Sequence, residues 1–165
     1  MRLKMISALA AALLLAACAS DDAAQSGDAA ASGASTTDGI SQGAVTPGSA
    51  EDFQQNVGDR VFFETDRYDL SAEAQSQLQK QAAWLQQYPA ATVTVEGHCD
   101  ERGTREYNLA LGERRANAVA NYLTALGIDA GRLSVISYGK ERPECTDSNE
   151  GCWAQNRRGV TSVNK

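Results

Sequence analysis

Patterns typical of strands alternate with patterns typical of helices along the chain from residue 49 onwards. Apolar residues recur at helical spacing over residues 71–87 and 105–126, and a short capped helix is predicted at 49–57. Between and after these helices lie short runs rich in Val, Ile, Phe and Thr, as strands are, at 61–63, 92–97, 133–138 and 160–163, with a further short helix at 153–157. This order predicts an α/β fold, a two-layer sandwich with helices on one face of a mixed four-stranded sheet.

The first eighteen residues are typical of an export signal. Arg2 and Lys4 precede an uninterrupted apolar run at 6–17, which is too short to cross a membrane as a helix. The run ends in Leu15-Ala16-Ala17-Cys18, which is similar to the lipobox of bacterial lipoproteins, where the Cys thiol is acylated and becomes the mature N-terminus. We therefore predict a signal peptide at 1–17 and lipidation at Cys18. The alternative is an ordinary secretory signal with an incidental cysteine.

The next segment differs sharply in composition. Residues 19–48 are almost entirely Ala, Ser, Gly, Thr and Asp, with Ile40 and Val45 as the larger apolar residues. Such a stretch buries too little apolar surface to offset its conformational entropy. We predict that 18–48 is a disordered tether with a span of roughly 30 Å, and that the folded domain occupies 49–165.

The net charge and the scarcity of metal-ligating residues exclude several classes of function. The formal net charge is -6, whereas a nucleic-acid-binding domain carries a basic face. The chain has 1 His and 4 Cys, scattered along its length, so we predict no metal site. The sequence also lacks the glycine loops that cradle phosphates, and no cofactor is predicted.

One charged residue falls on an apolar helix face. In the predicted helix 105–126, Leu111, Val119 and Tyr122 help to define a stripe, and Arg115 lies in its middle. Its neighbour Arg114 is turned by about 100°, toward solvent. Because burying an unpaired charge is costly, we expect Arg115 to pair with a carboxylate at its end of the domain.

Two aspartates are candidates for that partner. Asp66 follows the first predicted strand and Asp100 follows the second, so parallel strands would bring both to one edge of the sheet. Acids and a guanidinium together suit a ligand that carries an ammonium and a carboxylate. A salt bridge between Asp100 and Arg115 that only joins loop to helix is an equal alternative on geometry alone. A glycosidase is disfavoured, since a nearby arginine lowers the carboxyl pKa that a general acid needs raised.

Several motifs resemble those of one family. They lie at 94–98, 100–103, 107–108, 111–119, 137–140 and 156–158, within a match that runs from about residue 60 to residue 163. In these stretches the chain resembles the OmpA-like domain family, and most closely its peptidoglycan-associated lipoproteins. The sequence departs from the family's pattern at Thr65 and Cys99, neither of which replaces a charged contact.

The resemblance implies a ligand and its contacts. Members of the family bind peptidoglycan non-covalently through the meso-diaminopimelate residue of the stem peptide. By motif position, Asp100 would accept from the ammonium of that residue and Arg115 would hold its carboxylate. Asp66, Arg102 and Leu111 would line the same pocket, and Asn108 would organise the adjoining loop.

The resemblance also implies a location and a partner. The protein would be anchored by lipid to the periplasmic face of the outer membrane and would tether that membrane to the cell wall, within the Tol-Pal system of envelope integrity and cell division. It would act by binding and not as an enzyme. The alternative is that the domain is chiefly an interaction module for TolB, a periplasmic β-propeller protein, with weak wall binding.

Two cysteines near the C-terminus are expected to pair. Cys145 and Cys152 are close in sequence, and an exported protein meets an oxidising compartment. We therefore predict a structural disulfide between them, which leaves Cys99 as the unpaired thiol.

Overall fold

The computed structural model describes residues 45–164 of the chain. The predicted signal peptide at 1–17, the lipidation site Cys18 and the tether up to residue 44 lie outside the described residues. Within the described part, no helix is both long enough and apolar enough to cross a membrane.

Four strands form a single mixed sheet. They are β1 (Arg60–Phe62), β2 (Val93–His98), β3 (Leu133–Gly139) and β4 (Arg158–Val163), arranged in the order β1-β4-β2-β3. Strand β4 is antiparallel to both β1 and β2, whereas β2 and β3 are parallel. The predicted α/β class and the mixed four-stranded sheet are therefore confirmed.

A 3₁₀ turn (Ala130–Arg132) precedes β3, and four further helices accompany the sheet within residues 45–164. They are α1 (Ala50–Asp52), which continues as a π-helical turn (Phe53–Val57), α2 (Ala72–Gln87), α3 (Arg105–Ala125) and α4 (Glu150–Asn156). The side chains of Ser49, Ser71, Thr104 and Asn149 cap their first turns by accepting backbone N–H groups. Helix α4 starts three residues before the predicted position because Asn149 caps it there.

The core lies between the sheet and helices α2 and α3. Its fully buried members include Leu78 and Leu85 from α2, Val95 from β2, and Val119 and Leu123 from α3. These positions follow the 3.6-residue period of the helices and the alternation of the strand. On α3 the predicted stripe contained Val119 and Tyr122, but Leu123 is the fully buried residue and Tyr122 is half-buried.

Helix α3 lies unusually close to the end of β2. A methyl group at Gly97 would overlap the carbonyl oxygen of Gly112, so the two glycines allow the helix backbone to approach the strand. One turn beyond Gly112, this approach brings Arg115 within reach of the end of β2.

A disulfide joins Cys145 to Cys152, as predicted, and closes the loop before α4. The side chain of Asn156 holds the same loop, since its oxygen accepts from the backbone of Glu144 (2.8 Å) and its nitrogen donates to the carbonyl of Cys145 (2.7 Å). Helix α4 is therefore fixed to the loop at both of its ends.

Reduction of this disulfide is expected to lower the free energy of unfolding by about 2–3 kcal/mol, because the closed loop is short and its closure entropy is modest. Urea unfolding with and without dithiothreitol measures the difference. Cys99 is already a free, buried thiol, so among the described cysteines dithiothreitol changes only the bond between Cys145 and Cys152. An unchanged unfolding midpoint would contradict the expectation.

Candidate functional site

Three strands end at the same edge of the sheet. Because β1 and β2 both run antiparallel to β4, they run in the same direction, and β3 is parallel to β2. A cavity of about 300 Å³ lies at this edge, beside the start of α3. It is lined by Thr65, Asp66, Cys99, Asp100, Arg102, Gly103, Tyr107, Asn108, Leu111 and Arg115. All five residues predicted to form the binding site line this one cavity.

The guanidinium of Arg115 is bound by backbone carbonyls. It is fully buried, and its Nε donates to the carbonyl of Arg67 (2.8 Å), Nη1 to that of His98 (2.9 Å) and Nη2 to that of Glu64 (3.1 Å). Burial lowers the pKa of Arg115, although arginine keeps its proton in proteins. Because a guanidinium has five N–H groups, three carbonyls do not exhaust its donors.

The expected pairing of Arg115 with a carboxylate is wrong. Asp100 is paired instead with Arg102 and Arg157, and Arg115 takes part in no ion pair within residues 45–164. The physical reason is that the chain leaving β1 and β2 presents carbonyl oxygens at this edge, and they converge on the guanidinium. The positive charge of Arg115 is therefore in no direct ion pair with an acid of the described residues, although the charge of Asp100 nearby still favours the protonated guanidinium.

Asp100 is a buried and ionised carboxylate. Its Oδ1 accepts from the backbone N–H (3.1 Å) and Nε (3.1 Å) of Arg102, while Oδ2 accepts from Nη2 of Arg102 (2.7 Å) and lies 3.5 Å from Nη1 of Arg157. Burial acts to raise the pKa of Asp100, but the hydrogen bonds from the two arginines outweigh it and hold the pKa below its usual range. Such a group accepts hydrogen bonds from an ammonium and is a poor proton donor at neutral pH.

Asp66 lies at the mouth of the cavity. Its backbone is in the left-handed region (φ 58°), which Asp adopts more readily than most residues. Its carboxylate accepts a hydrogen bond from the hydroxyl of Tyr107, and this contact raises the pKa of Tyr107. Leu111 is buried and supplies an apolar wall.

The loop that carries Asp100 and Arg102 is held from several sides. Buried Asn108 donates to the carbonyls of Arg102 (2.7 Å) and Thr104 (3.0 Å), which is the loop-organising role expected for it. The guanidinium of Arg102 lies 4.3 Å from the ring centre of Trp153 in α4. Arg102 therefore stays near Asp100 even though its side chain is 38% exposed.

Sequence reasoning assigned no role to two residues at this edge. Cys99 lines the cavity, and burial raises the pKa of its thiol, which donates to the carbonyl of Asn108 at 3.3 Å. Arg157 lies behind Asp100, in the second position of the Asn156-Arg157-Arg158 motif. The available signal for Arg157 was that it directly precedes the last strand, which begins at Arg158 and whose start lies at this edge.

The geometry can be compared with that of known proteins. The family model described as OmpA family matches residues 62–157, a range that contains every predicted pocket residue and Arg157. The chain belongs to the OmpA family. The matched range begins at the end of β1 and closes at the residue before β4.

Relatives in this family are similar over most of their own length. The chain is 55% identical over 126 residues to the peptidoglycan-associated lipoprotein of Brucella melitensis, covering 76% of this chain and 75% of that protein. It is 48% identical over 112 residues to the peptidoglycan-associated lipoprotein of Haemophilus influenzae, covering 68% of this chain and 72% of that protein.

Solved structures have the same fold. The crystal structure of the peptidoglycan-associated lipoprotein from Burkholderia pseudomallei superposes with a TM-score of 0.66 at 36% identity, covering 70% of this chain and 100% of that one. The C-terminal domain of Helicobacter pylori MotB superposes with a TM-score of 0.61 at 21% identity, covering 65% of this chain and 84% of that one. At 21% identity, the similarity to MotB concerns the fold alone.

Proposed function

We propose that this OmpA-family chain is an outer-membrane lipoprotein that binds peptidoglycan non-covalently through the meso-diaminopimelate residue of its stem peptide. The chain would thereby tether the outer membrane to the cell wall. The observation that carries the proposal is that an ionised Asp100 and a buried Arg115, which forms no ion pair within residues 45–164, line the same cavity of about 300 Å³.

The free end of meso-diaminopimelate matches this pair of charges. It bears an ammonium and a carboxylate on one carbon atom, so Asp100 accepts from the ammonium while the remaining N–H groups of Arg115 donate to the carboxylate. Leu111 packs against the methylene groups of the ligand, and Asp66 and Arg102 close the mouth. No proton transfer is needed, so the site binds without catalysis.

The names of the relatives support the same ligand. Proteins at 48–57% identity from Brucella, Agrobacterium and Haemophilus are named peptidoglycan-associated lipoproteins.

Co-sedimentation with isolated sacculi tests wall binding. The purified chain is expected to pellet with sacculi and to return to the supernatant when soluble stem-peptide fragments are added. A chain that stays in the supernatant at every sacculus concentration would contradict the proposal, and release of muropeptides during incubation would revive the hydrolase alternative.

The membrane anchor is proposed at Cys18, which lies outside the described residues. Replacing Cys18 with Ala is expected to abolish incorporation of a labelled fatty acid, because the acyl chains need the thiol. Sorting to the outer membrane is supported by Ala19, the residue after the cysteine, because an Asp at that position retains some lipoproteins at the inner membrane. The control is Cys99→Ala, which removes a buried thiol and should leave labelling intact. Equal labelling of Cys18→Ala and wild type would exclude lipidation at Cys18.

A second candidate function is docking of TolB as part of the Tol system. It is favoured by two tyrosines beside Asp66, since Tyr68 is 50% exposed and Tyr107 45% exposed, and exposed aromatic residues are common at protein interfaces. Docking there would cover the cavity and compete with wall peptide. In a pull-down with TolB, added stem peptide is expected to lower the captured amount. Simultaneous binding without antagonism would contradict a shared surface.

A further inference from the structure

Behind the cavity, a buried arginine connects Asp100 to the C-terminal helix. Arg157 is 5% exposed and does not line the cavity, yet its side chain contacts three separate segments. Its Nε donates to the carbonyl of Phe63 (3.0 Å) after β1, its Nη1 lies 3.5 Å from Oδ2 of Asp100 after β2, and its Nη2 donates to Oε1 of Glu150 (2.7 Å) in α4.

The two arginines beside Asp100 differ in exposure. The side chain of Arg102 is 38% exposed and lies at the mouth, whereas that of Arg157 is 5% exposed and is fixed at all three of its nitrogen atoms. An entering ligand can contact Arg102 at the mouth but not Arg157 behind Asp100. Arg157 therefore supplies a counter-charge to Asp100 that does not depend on whether a ligand is present.

The position of Arg157 depends on α4. The backbone carbonyl of Arg157 accepts from the N–H of Phe63 (2.9 Å), and its own N–H donates to the carbonyl of Trp153 (3.0 Å). Helix α4 is in turn held by the Cys145–Cys152 disulfide and by Asn156. Contacts thus run without a gap from the disulfide loop, through α4, to Asp100.

We propose that Arg157 is a positioning residue of the binding site, which holds the Asp100 carboxylate in place, with Glu150 as its anchor on α4. The inference rests on the proposed function only for the identity of the ligand. The arrangement of Arg157, Asp100 and Glu150 is a property of the free protein and is testable without any ligand.

Two variants separate positioning from a merely structural role. Arg157→Lys keeps the charge but cannot contact three segments at once, because an ammonium lacks the planar fork of a guanidinium. Glu150→Gln keeps Arg157 but replaces the charged partner of its Nη2 with a neutral amide, and it also removes a longer ion pair to Nη1 of Arg102 (4.0 Å). Because the Glu150 side chain is 63% exposed, we expect this variant to fold even where Arg157→Lys does not. The matched control is Glu141→Gln, which removes the exposed partner of Arg105 (3.3 Å) in the preceding loop.

The readout is the titration of the Asp100 carboxyl carbon by NMR in the purified chain, with the signal assigned by its loss in Asp100→Asn. Loss of the Glu150 charge by itself would lower the pKa of the Asp100 carboxyl, whereas displacement of Arg157 would raise it. Under the proposal we therefore expect the carboxyl to titrate at higher pH than in wild type in Arg157→Lys and in Glu150→Gln, and at the same pH in Glu141→Gln. In Glu150→Gln and Arg157→Lys the dissociation constant for a soluble stem peptide with meso-diaminopimelate should rise roughly tenfold. This is the lower end of the loss in affinity when a residue that hydrogen-bonds a metal ligand is replaced.

An Asp100 carboxyl that titrates in Glu150→Gln at the same pH as in wild type, or at lower pH, would overturn the proposal. If wild type fails to bind the stem peptide, the proposed function fails. The titration still decides the positioning role in that case, since a shift to higher pH supports it and any other result refutes it.

Discussion

Replacing Arg115 with Met is expected to lower the free energy of unfolding by about 2–3 kcal/mol. The guanidinium is fully buried and donates to three carbonyls, those of Glu64, Arg67 and His98. A methionine of similar length fills the space but leaves these oxygens without that donor. The His98 carbonyl is buried, and leaving such a group unpaired costs about 1–3 kcal/mol, whereas the carbonyls of the exposed residues Glu64 and Arg67 can be hydrated and lose less. Urea unfolding of the purified chain measures the change.

The adjacent residue provides the control. Arg114 is exposed on the same turn of α3, so Arg114→Met should change the free energy of unfolding by no more than about 0.5 kcal/mol. The two variants remove the same charge one position apart. Equal effects would contradict the placement of Arg115 on the buried face of α3 and its hydrogen bonds to the three carbonyls.

Replacing Asp100 with Asn is expected to weaken stem-peptide binding by roughly thirtyfold or more. The substitution preserves the shape of the side chain but removes the charge that would accept the ligand ammonium. Losing one partner of a buried charged contact typically costs about 2–5 kcal/mol in binding. Isothermal titration calorimetry with a soluble stem peptide measures the change.

A second aspartate serves as the control for this variant. Asp129 precedes β3 at the opposite edge of the sheet, where its Oδ1 accepts from the backbone N–H of Gly131 (2.7 Å). Asp129→Asn retains that cap and should bind the peptide like wild type. If Asp100→Asn binds within about threefold of wild type, which is under 1 kcal/mol, Asp100 is not the ammonium acceptor.

The sequence predicts those features that depend on local periodicity. The helical spacing around Leu78 and Val119 predicts α2 and α3, and the same spacing places Arg115 on the buried face of α3. The common direction of β1 and β2, which brings Asp66 and Asp100 to one edge, follows from the expected sheet topology. The burial of Arg115 was thus predictable, and so was the clustering around it.

The partners of Arg115 were not predictable, because backbone carbonyls leave no trace in the side-chain pattern. Every residue has a carbonyl, and only the tertiary path of the chain after β1 and β2 brings three of them to one guanidinium.

The arginines that hold Asp100 show two further limits of prediction from sequence. Arg102 lies only two residues from Asp100 in a loop without periodicity, and Arg157 comes from the far end of the chain.

The most direct test of the account compares two stem peptides that differ only at the third residue, one with meso-diaminopimelate and one with L-lysine. Lysine keeps the ammonium for Asp100 but has no carboxylate for Arg115, so its peptide should bind at least about tenfold more weakly, a loss of about 1.4 kcal/mol. Calorimetric titration of the purified chain with both peptides gives the two dissociation constants. Equal constants would show that Arg115 does not hold the ligand carboxylate and would contradict the proposed recognition of diaminopimelate.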